Sequence, residues 1–437
     1  MEDIMAHKKQ QGARIYNLFP RLVGRMENWI VHFDRIQEMG FEWVYVNPFH
    51  YPGFSGSLYA PKDYYDFNPL FINTNSSLPP VRQLEMMIDE AHKRGLKVIM
   101  DLVINHTAKD HSFVRVHPDW YKRNERGEVK SPGAWDNGVW VEWGDLAEID
   151  NENSPDRENL WKYWEELVLY YLEKGFDGFR ADAAYQVPAE LWKRLIDAAH
   201  KRNPDVVFFA ESLGCTPQQT LVLAQSGFDY IFNSAKWWNY KDAWLLEQYN
   251  QTRTMCPSIA FPESHDTMRL AMDLKNHLPA IRQRILFTAF FSSGWMIPIG
   301  LEYGFRKKTD VVYTTPNDWE PVNYDLTDFI TRINDIRKKY SLFSEETENS
   351  IVAHDNMSNV LVMLKVSGDG KSRALLIINQ DVYNMQRVHL GNLAQYFGQN
   401  LSTLEDLSLD NPQSYIPGDN YDYNLNPGEV RIIHWRA

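Results

Sequence analysis

The chain has 437 residues, of which 45 are Lys or Arg and 58 are Asp or Glu, so its net charge is -13. Proteins that bind nucleic acid present basic surfaces, so this charge argues against a nucleic-acid partner and leaves a neutral polymer open. Aromatic residues make up 14% of the chain and include 15 Trp; flat rings are suited to stack on sugars, although we expect most of them to pack in the core.

The N-terminal segment and the cysteines bear on the compartment of the protein. Residues 1–11 contain no apolar stretch long enough for a signal peptide, and no run approaches the length of a membrane span. We therefore expect a cytoplasmic protein with no membrane partner, or a secreted protein if a leader was removed. Cys215 and Cys256 fall at opposite ends of predicted strands, too far apart for a disulfide, and are expected to be free thiols.

Apolar runs alternate with amphipathic stretches through most of the chain, in the rhythm of parallel strands joined by helices. The candidate strands lie at 13–19, 43–49, 96–103, 176–181, 206–210, 230–234, 258–262 and 295–300. The clearest helical patterns lie at 80–94, 158–174, 190–201, 280–291 and 327–339. The sequence therefore predicts an α/β fold, with a (β/α)8 TIM barrel in residues 1–348.

Residues 107–157 interrupt this rhythm after the third strand. They lack a long periodic helix and carry loop signals at Gly127, Pro132-Gly133 and Asn137-Gly138, so we predict a short inserted subdomain. This subdomain is rich in aromatic residues, namely Trp120, Tyr121, Trp135, Trp140 and Trp143. They are expected to form either a small core of the insertion or a platform for sugar stacking.

The pattern changes again in residues 349–437. Short apolar runs at 360–366, 374–379, 386–390 and 429–435 are separated by turns rich in Gly, Asp and Asn. Such runs are typical of antiparallel strands, so we predict a C-terminal β-sandwich domain. It contains no evident pair of acids of its own.

Four segments of the predicted barrel place acids or histidines where strands end. Gly178-Phe-Arg-Ala-Asp182 and Val206-Val-Phe-Phe-Ala-Glu211 each end on an acid. Asp101 is followed by Asn105-His106 in an earlier segment, and Phe261-Pro-Glu-Ser-His-Asp266 comes later. In a parallel barrel the carboxyl ends of the strands form the face where substrates are handled, so these residues are candidates for catalysis.

The order of these four segments resembles the four signatures of the α-amylase superfamily of retaining glycoside hydrolases and transglycosylases. The resemblance covers about residues 15 to 345 and extends to the C-terminal sheet domain. It implies that Asp182 is the nucleophile and Glu211 the general acid and base. Asp266 is then expected to bind sugar hydroxyls and to favour a distorted ring.

The residue chemistry agrees with this division of roles. Arg180 and Asp182 alternate along one strand, so both side chains share a face and the guanidinium can hold the carboxylate ionised. We expect Asp101 to hold Arg180 in turn. The apolar run before Glu211 is expected to raise the pKa of its carboxyl, as a general acid requires.

Three further residues enter the site through the resemblance. It implies that His106 and His265 donate hydrogen bonds to the sugar that is cleaved, and that Tyr59 stacks beneath this sugar. The Tyr59 motif is looser, because Ser57 stands where many members carry His.

Two departures from the superfamily pattern matter. Starch-cleaving members often continue Ala-x-Lys-His after the nucleophile, where His can bind calcium through its backbone, whereas this chain has Ala183-Ala-Tyr-Gln186. Asn105 alone does not make a calcium cage, so we predict no metal site and no cofactor, and calcium is not expected. The second departure is Ser264 before His265, where Asn is common.

The sequence therefore predicts an enzyme that cleaves α-1,4-glucosidic bonds of starch, glycogen or malto-oligosaccharides with retention. The alternative is an α-glucan transglycosylase of the maltosyltransferase or 4-α-glucanotransferase type, because 117–128 and 18–21 are similar to segments of maltosyltransferases. A non-catalytic barrel scaffold is a remote alternative, since all three acids are present. The expected partner is an α-glucan or malto-oligosaccharide, and the oligomeric state is left open.

Overall fold

The computed structural model describes residues 12–136, 138–417 and 420–437. Residues 1–11, which are predicted to hold no signal peptide, lie outside the described residues. The predicted turn residue Asn137 lies outside them as well.

The strands of the described chain are short, and most are buried. In chain order they are β1 Arg14–Leu18, β2 Trp43–Val46, β3 His50–Pro52, β4 Pro61–Phe67, β5 Lys97–Leu102, β6 His106–Ala108, β7 Gly133–Asp136, β8 Val139–Glu142, β9 Leu146–Glu148, β10 Gly178–Ala181, β11 Val207–Ala210, β12 Tyr230–Phe232, β13 Ser258–Ala260, β14 Gly294–Pro298, β15 Asn349–Ile351, β16 Val360–Val366, β17 Ser372–Asn379, β18 Gln386–Gly391, β19 Glu405–Asp406, β20 Asn420–Leu425 and β21 Val430–Arg436.

The α-helices lie mainly between the buried strands. They are α1 Pro20–Val23, α2 Met26–Ile30, α3 Phe33–Glu38, α4 Pro80–Lys93, α5 Phe113–Val116, α6 Arg157–Glu173, α7 Ala189–Arg202, α8 Pro217–Gln225, α9 Trp244–Thr252, α10 Leu270–Asp273, α11 Leu278–Phe291, α12 Thr327–Lys339 and α13 Ala394–Phe397.

Strands β1, β14, β13, β12, β11, β10, β5 and β2 form, in this order, a closed barrel of parallel strands. They are the eight strands predicted from the sequence, so the (β/α)8 barrel is confirmed. Every residue of β10 and β11 is buried, because both faces of a parallel sheet are covered in such a fold. Strand β10 pairs with β5 on one side and β11 on the other, which brings three acid-bearing segments side by side.

The five predicted helical patterns correspond to α4, α6, α7, α11 and α12. Helix α7 shows why the pattern works: its buried residues recur at spacings of three and four and form one apolar face, Leu191, Trp192, Leu195, Ile196 and Ala199. Helices α8 and α9 have nine residues each and were not predicted. The signal for α8 is a capping box, in which Thr216 and Gln219 bond each other's backbone N–H.

The segment after β5 contains short paired strands instead of a long helix, as expected. Strand β6 pairs with β9, and β7 pairs with β8 in a hairpin. The bounds 107–157 of the inserted subdomain stay a prediction.

The C-terminal strands confirm the antiparallel sandwich. Strands β15, β16, β17, β21 and β19 form a five-stranded sheet, and β18 pairs with β20 in a second sheet. Residues of both sheets share one apolar core, including Val362, Ile377, Val388 and Tyr421. Two sheets that bury their inner faces against each other are a sandwich.

Two compact units make up the chain. Among the described residues, one unit comprises 15–232 and 307–320, and the other comprises 12–14, 233–306 and 321–437. The expected domain division between residues 348 and 349 stays a prediction. Both cysteines are thiols, as predicted. Among the described residues, no helix combines the length and apolar character needed to cross a bilayer.

A lysine is fully buried where the C-terminal sheet begins. The Nζ of Lys365 donates to the Phe291 carbonyl and to Asn349 Oδ1, each at 2.8 Å. Burial lowers the pKa of Lys365 from 10.5 to about 7, although the nearby Glu346 opposes this shift. Between about pH 7 and 10.5 the unfolded chain therefore binds a proton at this residue that the folded chain does not.

This lysine makes the free energy of unfolding rise with pH across that window. We expect Lys365→Met to flatten the rise, because Met has no proton to bind. Thermal unfolding of the variant and the wild type from pH 7 to pH 10 measures the difference between the slopes. The exposed Lys371→Met is the control and should keep the wild-type slope. Equal slopes for Lys365→Met and the wild type would contradict the buried, neutral lysine.

Candidate active site

Three acids lie at the carboxyl ends of neighbouring strands. Asp101 is the fifth residue of β5, Asp182 follows β10 directly, and Glu211 follows β11 directly. In the strand register, Arg180 pairs with Asp101. Ala181, just before Asp182, pairs with Ala210, just before Glu211. Parallel pairing of three strands therefore gathers carboxyl groups that are far apart in sequence.

The guanidinium of Arg180 contacts all three carboxyl groups. Its Nη1 lies 2.9 Å from Asp101 Oδ1 and 2.9 Å from Asp182 Oδ1, and its Nη2 lies 3.0 Å from Glu211 Oε1. The predicted contacts of Arg180 with Asp182 and with Asp101 are both present, and the role of Asp101 in holding Arg180 stays a prediction. Burial disfavours the charge on Arg180, but Asp101 and Glu211 outweigh it and raise its pKa well above the usual range.

Two tyrosines complete the environment of Asp101. Tyr45 and Tyr59 donate their hydroxyls to Asp101 Oδ2 at 2.5 and 2.7 Å. Asn47 donates to both hydroxyls, and Asn17 donates to Asn47. Burial raises the pKa of Tyr45 well above its usual value, so this phenol remains a donor. Sequence analysis missed Tyr45, Asn47 and Asn17, although polar residues at alternate positions near the ends of buried strands are the signal that could have revealed them.

Ala183 connects the two principal acids through the backbone. It adopts φ 43° and ψ 44°, a left-handed conformation that is uncommon for residues other than glycine. In this conformation its N–H donates to Glu211 Oε2 at 2.7 Å. A strained residue beside a buried carboxyl group is a common sign of a site whose geometry is held by its surroundings. Sequence analysis had no signal for it.

The surroundings of Glu211 differ from the apolar environment expected from the preceding strand. Its carboxyl contacts the Arg180 guanidinium and the Ala183 N–H, and its side chain is 13% exposed. Both contacts stabilise a negatively charged carboxylate. The strand before Glu211 is indeed buried and apolar, but it ends before the carboxyl group.

His106 and Tyr59 contact each other. The His106 Nε2–H donates to the Tyr59 carbonyl at 2.9 Å, and its Nδ1 lies 3.4 Å from the Asn105 amide. Burial lowers the pKa of His106 to about 4, so the ring is neutral at neutral pH. Tyr59 is half-buried, and stacking of its ring beneath a sugar stays a prediction. Donation from His106 to a sugar stays a prediction, and it requires one of these bonds to open.

His265 and Asp266 follow the seventh barrel strand and contact each other. His265 Nε2 lies 3.1 Å from Asp266 Oδ2, and the Asp266 side chain is 45% exposed. Ser264 stands where Asn is common, and its Oγ accepts the Asp266 N–H at 3.3 Å. A serine hydroxyl can form the same local turn as an asparagine amide, which accounts for this departure.

A buried ion pair anchors the same loop and was missed by sequence analysis. Glu263 Oε1 lies 2.8 Å from Arg269 Nη1, and Glu263 also accepts the Leu270 N–H. Burial raises the pKa of Glu263, whereas Arg269 lowers it. The pair closes the loop that carries His265 and Asp266, so it is a positioning element for them.

At the position where members of the superfamily can bind calcium, the side chains of this chain form hydrogen bonds with one another and with the backbone. Asn105 donates to Gln186 Oε1 at 2.9 Å, and Gln186 Nε2 lies 3.5 Å from the Gly133 carbonyl and 3.3 Å from the Tyr185 hydroxyl. The amide of Gln186 therefore joins the loop after β5, the loop after β10 and the insertion. Calcium requires six to eight oxygens; the described residues show no cluster of acids, His or Cys that could hold a metal. These residues do not fit the ion.

We expect activity to be independent of calcium, because hydrogen bonds of Gln186 hold these segments together. The measurement is turnover and melting temperature after dialysis against EDTA, with and without added calcium. Both should match the untreated protein. A loss of activity or a melting point lowered by many degrees, reversed by calcium, would reveal a metal site.

The aromatic residues of the insertion divide between the two predicted roles. Trp120 and Tyr121 are only 4% and 3% exposed, so for them the small core is confirmed. Trp143 is partly buried and its ring centroid lies 6.2 Å from that of His106. Trp140 is 46% exposed, and sugar stacking by it stays a prediction. The Trp135 side chain lies outside the described part of the chain.

Comparisons with known proteins agree with the barrel and with the resemblance found in the sequence. The family model for the glucanotransferase domain of glycogen debranching enzyme matches residues 9–125. An α-1,4-glucan:maltose-1-phosphate maltosyltransferase from Burkholderia pseudomallei is 26% identical over 74% of this chain and 29% of its own length. The corresponding enzyme from Myxococcus xanthus is 25% identical over 91% of this chain and 63% of its length. The chain thus spans less than two thirds of these relatives.

The fold has close counterparts among solved structures. A noncanonic maltogenic α-amylase from Thermotoga neapolitana superposes with a TM-score of 0.78 at 21% identity, over 98% of this chain and 100% of that one. The relatives and this neighbour confirm the resemblance found in the sequence, including its likeness to maltosyltransferases. These relatives are named as enzymes, which supports the prediction of an enzyme.

Proposed function

We propose that this chain, a member of the α-amylase superfamily of enzymes, cleaves α-1,4-glucosidic bonds of glucans with retention of configuration. Asp182 is the nucleophile, Glu211 is the general acid and base, and Asp266 binds hydroxyls of the distorted sugar. The observation that carries the proposal is the contact of one guanidinium with both Asp182 and Glu211. A shared guanidinium holds two carboxyl groups close together, as retaining enzymes need, with a separation of about 5 to 5.5 Å.

In the first step, protonated Glu211 gives its proton to the glycosidic oxygen while Asp182 attacks the anomeric carbon. The carbon–oxygen bond breaks, the leaving sugar departs, and a covalent glycosyl-enzyme forms. Arg180 keeps Asp182 oriented and ionised for this attack. In the second step, the Glu211 carboxylate removes a proton from the acceptor hydroxyl, which attacks the same carbon and releases Asp182.

The second step distinguishes hydrolysis from transfer. Water as acceptor gives an amylase, and a sugar hydroxyl gives a glucanotransferase of the maltosyltransferase or 4-α-glucanotransferase type. The similarity to maltosyltransferases supports transfer, and the similarity to a maltogenic α-amylase supports hydrolysis. Both reactions use the residues named above, and in both the partner is an α-glucan.

The test is product analysis from maltoheptaose, with and without added maltose as acceptor. Hydrolysis releases one new reducing end for every bond cleaved and gives only shorter chains. Transfer conserves the number of reducing ends and gives chains longer than the substrate, in amounts that rise with acceptor. An enzyme inactive on maltoheptaose under both conditions would contradict action on α-1,4-glucans.

A further inference from the structure

A groove of about 600 Å³ lies outside the residues assigned to catalysis. The hairpin of β3 and β4 forms one wall, and the segment after β6 forms the other. Its lining includes Tyr51, Lys62, Asp63, Asp110, His111 and Arg115. Tyr59 lies in the loop that connects β3 to β4, so one hairpin carries both the groove and a residue of the proposed catalytic centre.

His111 is a buried residue in the lining of this groove. The residue is only 4% exposed, and its Nδ1 accepts the Phe113 N–H at 3.0 Å. The ring hydrogen is therefore on Nε2, for which the described chain provides no hydrogen-bond partner. Burial lowers the pKa of His111 to about 4, so the ring is a neutral donor at neutral pH. A buried side chain that lines a groove and has a ring N–H without a hydrogen-bond partner is suited to a ligand that accepts a hydrogen bond.

The charges of the groove balance. Lys62 and Asp110 form an ion pair at 2.7 Å, and Asp110 also accepts the Phe54 N–H at 3.3 Å. The cations of the lining are Lys62, Lys109 and Arg115, and the acids are Asp63, Asp66 and Asp110. Such a balance provides donors and acceptors without net attraction for an anion or a cation. The groove is therefore suited to a neutral, polar ligand.

Tyr51 supplies a flat surface beside these polar groups. It is 37% exposed and lies opposite Asp63 in the hairpin. An exposed aromatic ring next to side chains that donate and accept hydrogen bonds is a combination suited to sugars, which have apolar faces and hydroxyl edges.

We propose that this groove binds a segment of an α-glucan chain apart from the segment undergoing cleavage. The Tyr51 ring packs against a glucose unit, the His111 Nε2–H donates to a hydroxyl oxygen, and the charged pairs exchange hydrogen bonds with the remaining hydroxyls. The proposal rests on the proposed function for the identity of the sugar. A polymer held at two places is retained longer than one held at the cleavage site alone.

The experiment is native gel electrophoresis of the full chain through gels with increasing glycogen, combined with kinetics on glycogen and on maltotriose. Tyr51→Ala removes an exposed ring, and Tyr415→Ala is the matched control, because Tyr415 is 76% exposed and does not line the groove. We expect Tyr51→Ala to weaken glycogen binding and to raise the KM for glycogen about tenfold, the size of a lost stacking contact. Its kcat/KM for maltotriose and its melting temperature should match those of the wild type.

A second variant, His111→Phe, keeps a ring but removes the donor, and it should weaken glycogen binding in the same direction. If glycogen retarded both variants as strongly as the wild type, the proposal would be overturned. The proposed function would stand in that case, provided that the enzyme cleaves maltoheptaose. A wild type that is neither retarded by glycogen nor active on maltoheptaose would overturn both. Inorganic phosphate and maltoheptaose are compared as competitors of glycogen at the same concentration. If phosphate displaced glycogen and maltoheptaose did not, the groove would be assigned to an anion, and the proposal would also be overturned.

Discussion

Asp182→Asn and Glu211→Gln are expected to lower turnover on malto-oligosaccharides by at least about a thousandfold, with little change in melting temperature. In the proposed mechanism, the first substitution removes the atom that attacks the anomeric carbon, and the second removes the proton given to the leaving oxygen. Both are nearly isosteric, and Asp101 continues to pair with Arg180 in either variant. Steady-state kinetics and thermal unfolding measure the two effects.

Glu211→Gln offers a sharper test of the division of roles. A maltosyl fluoride has a leaving group that departs without acid assistance, so this variant should still form the glycosyl-enzyme and then release it slowly. Intact-protein mass spectrometry should detect the adduct, and peptide mapping should locate it on Asp182. The exposed Glu190→Gln is the control and should behave as the wild type. Substantial activity in Asp182→Asn, or an adduct on another residue, would contradict the assignment.

Arg180→Met is expected to reduce the free energy of unfolding by about 3–5 kcal/mol, because it leaves buried carboxyl groups facing one another without their cation. The Arg180 side chain is 5% exposed and that of Asp101 is fully buried. Solvent therefore cannot replace the lost contacts. Urea denaturation measures the change, and activity should fall as well.

A double-mutant cycle separates this effect from simple loss of packing. Asp101→Asn alone should destabilise the protein, since it breaks a buried pair. In the Arg180→Met background the same substitution should be neutral or stabilising, because it removes one of the uncompensated carboxyl groups. If the two substitutions were additive, the pair would not be coupled, and the description of Arg180 as the shared partner of the acids would be wrong.

The sequence predicted those features that depend on local pattern. Alternation along β10 placed Arg180 and Asp182 on one face, and apolar runs revealed all eight barrel strands. The tyrosines on Asp101 and the bridge from Gln186 to Asn105 were not predicted, because each depends on which loops and strands become neighbours in space. The strained backbone of Ala183 was beyond prediction for another reason: alanine carries no signal for a left-handed conformation.

The placement of one guanidinium among three carboxyl groups also bears on which inhibitors the enzyme accepts. Acids outnumber the cation, so the potential around Asp182 and Glu211 is negative, which favours the positive charge that builds up on a sugar during cleavage. Sugar mimics with a protonated amine at the reacting position should therefore bind more tightly than neutral lactams of the same shape. Sugars that carry a carboxylate there should be rejected, so the charge of a compound, as well as its shape, governs its recognition at this centre.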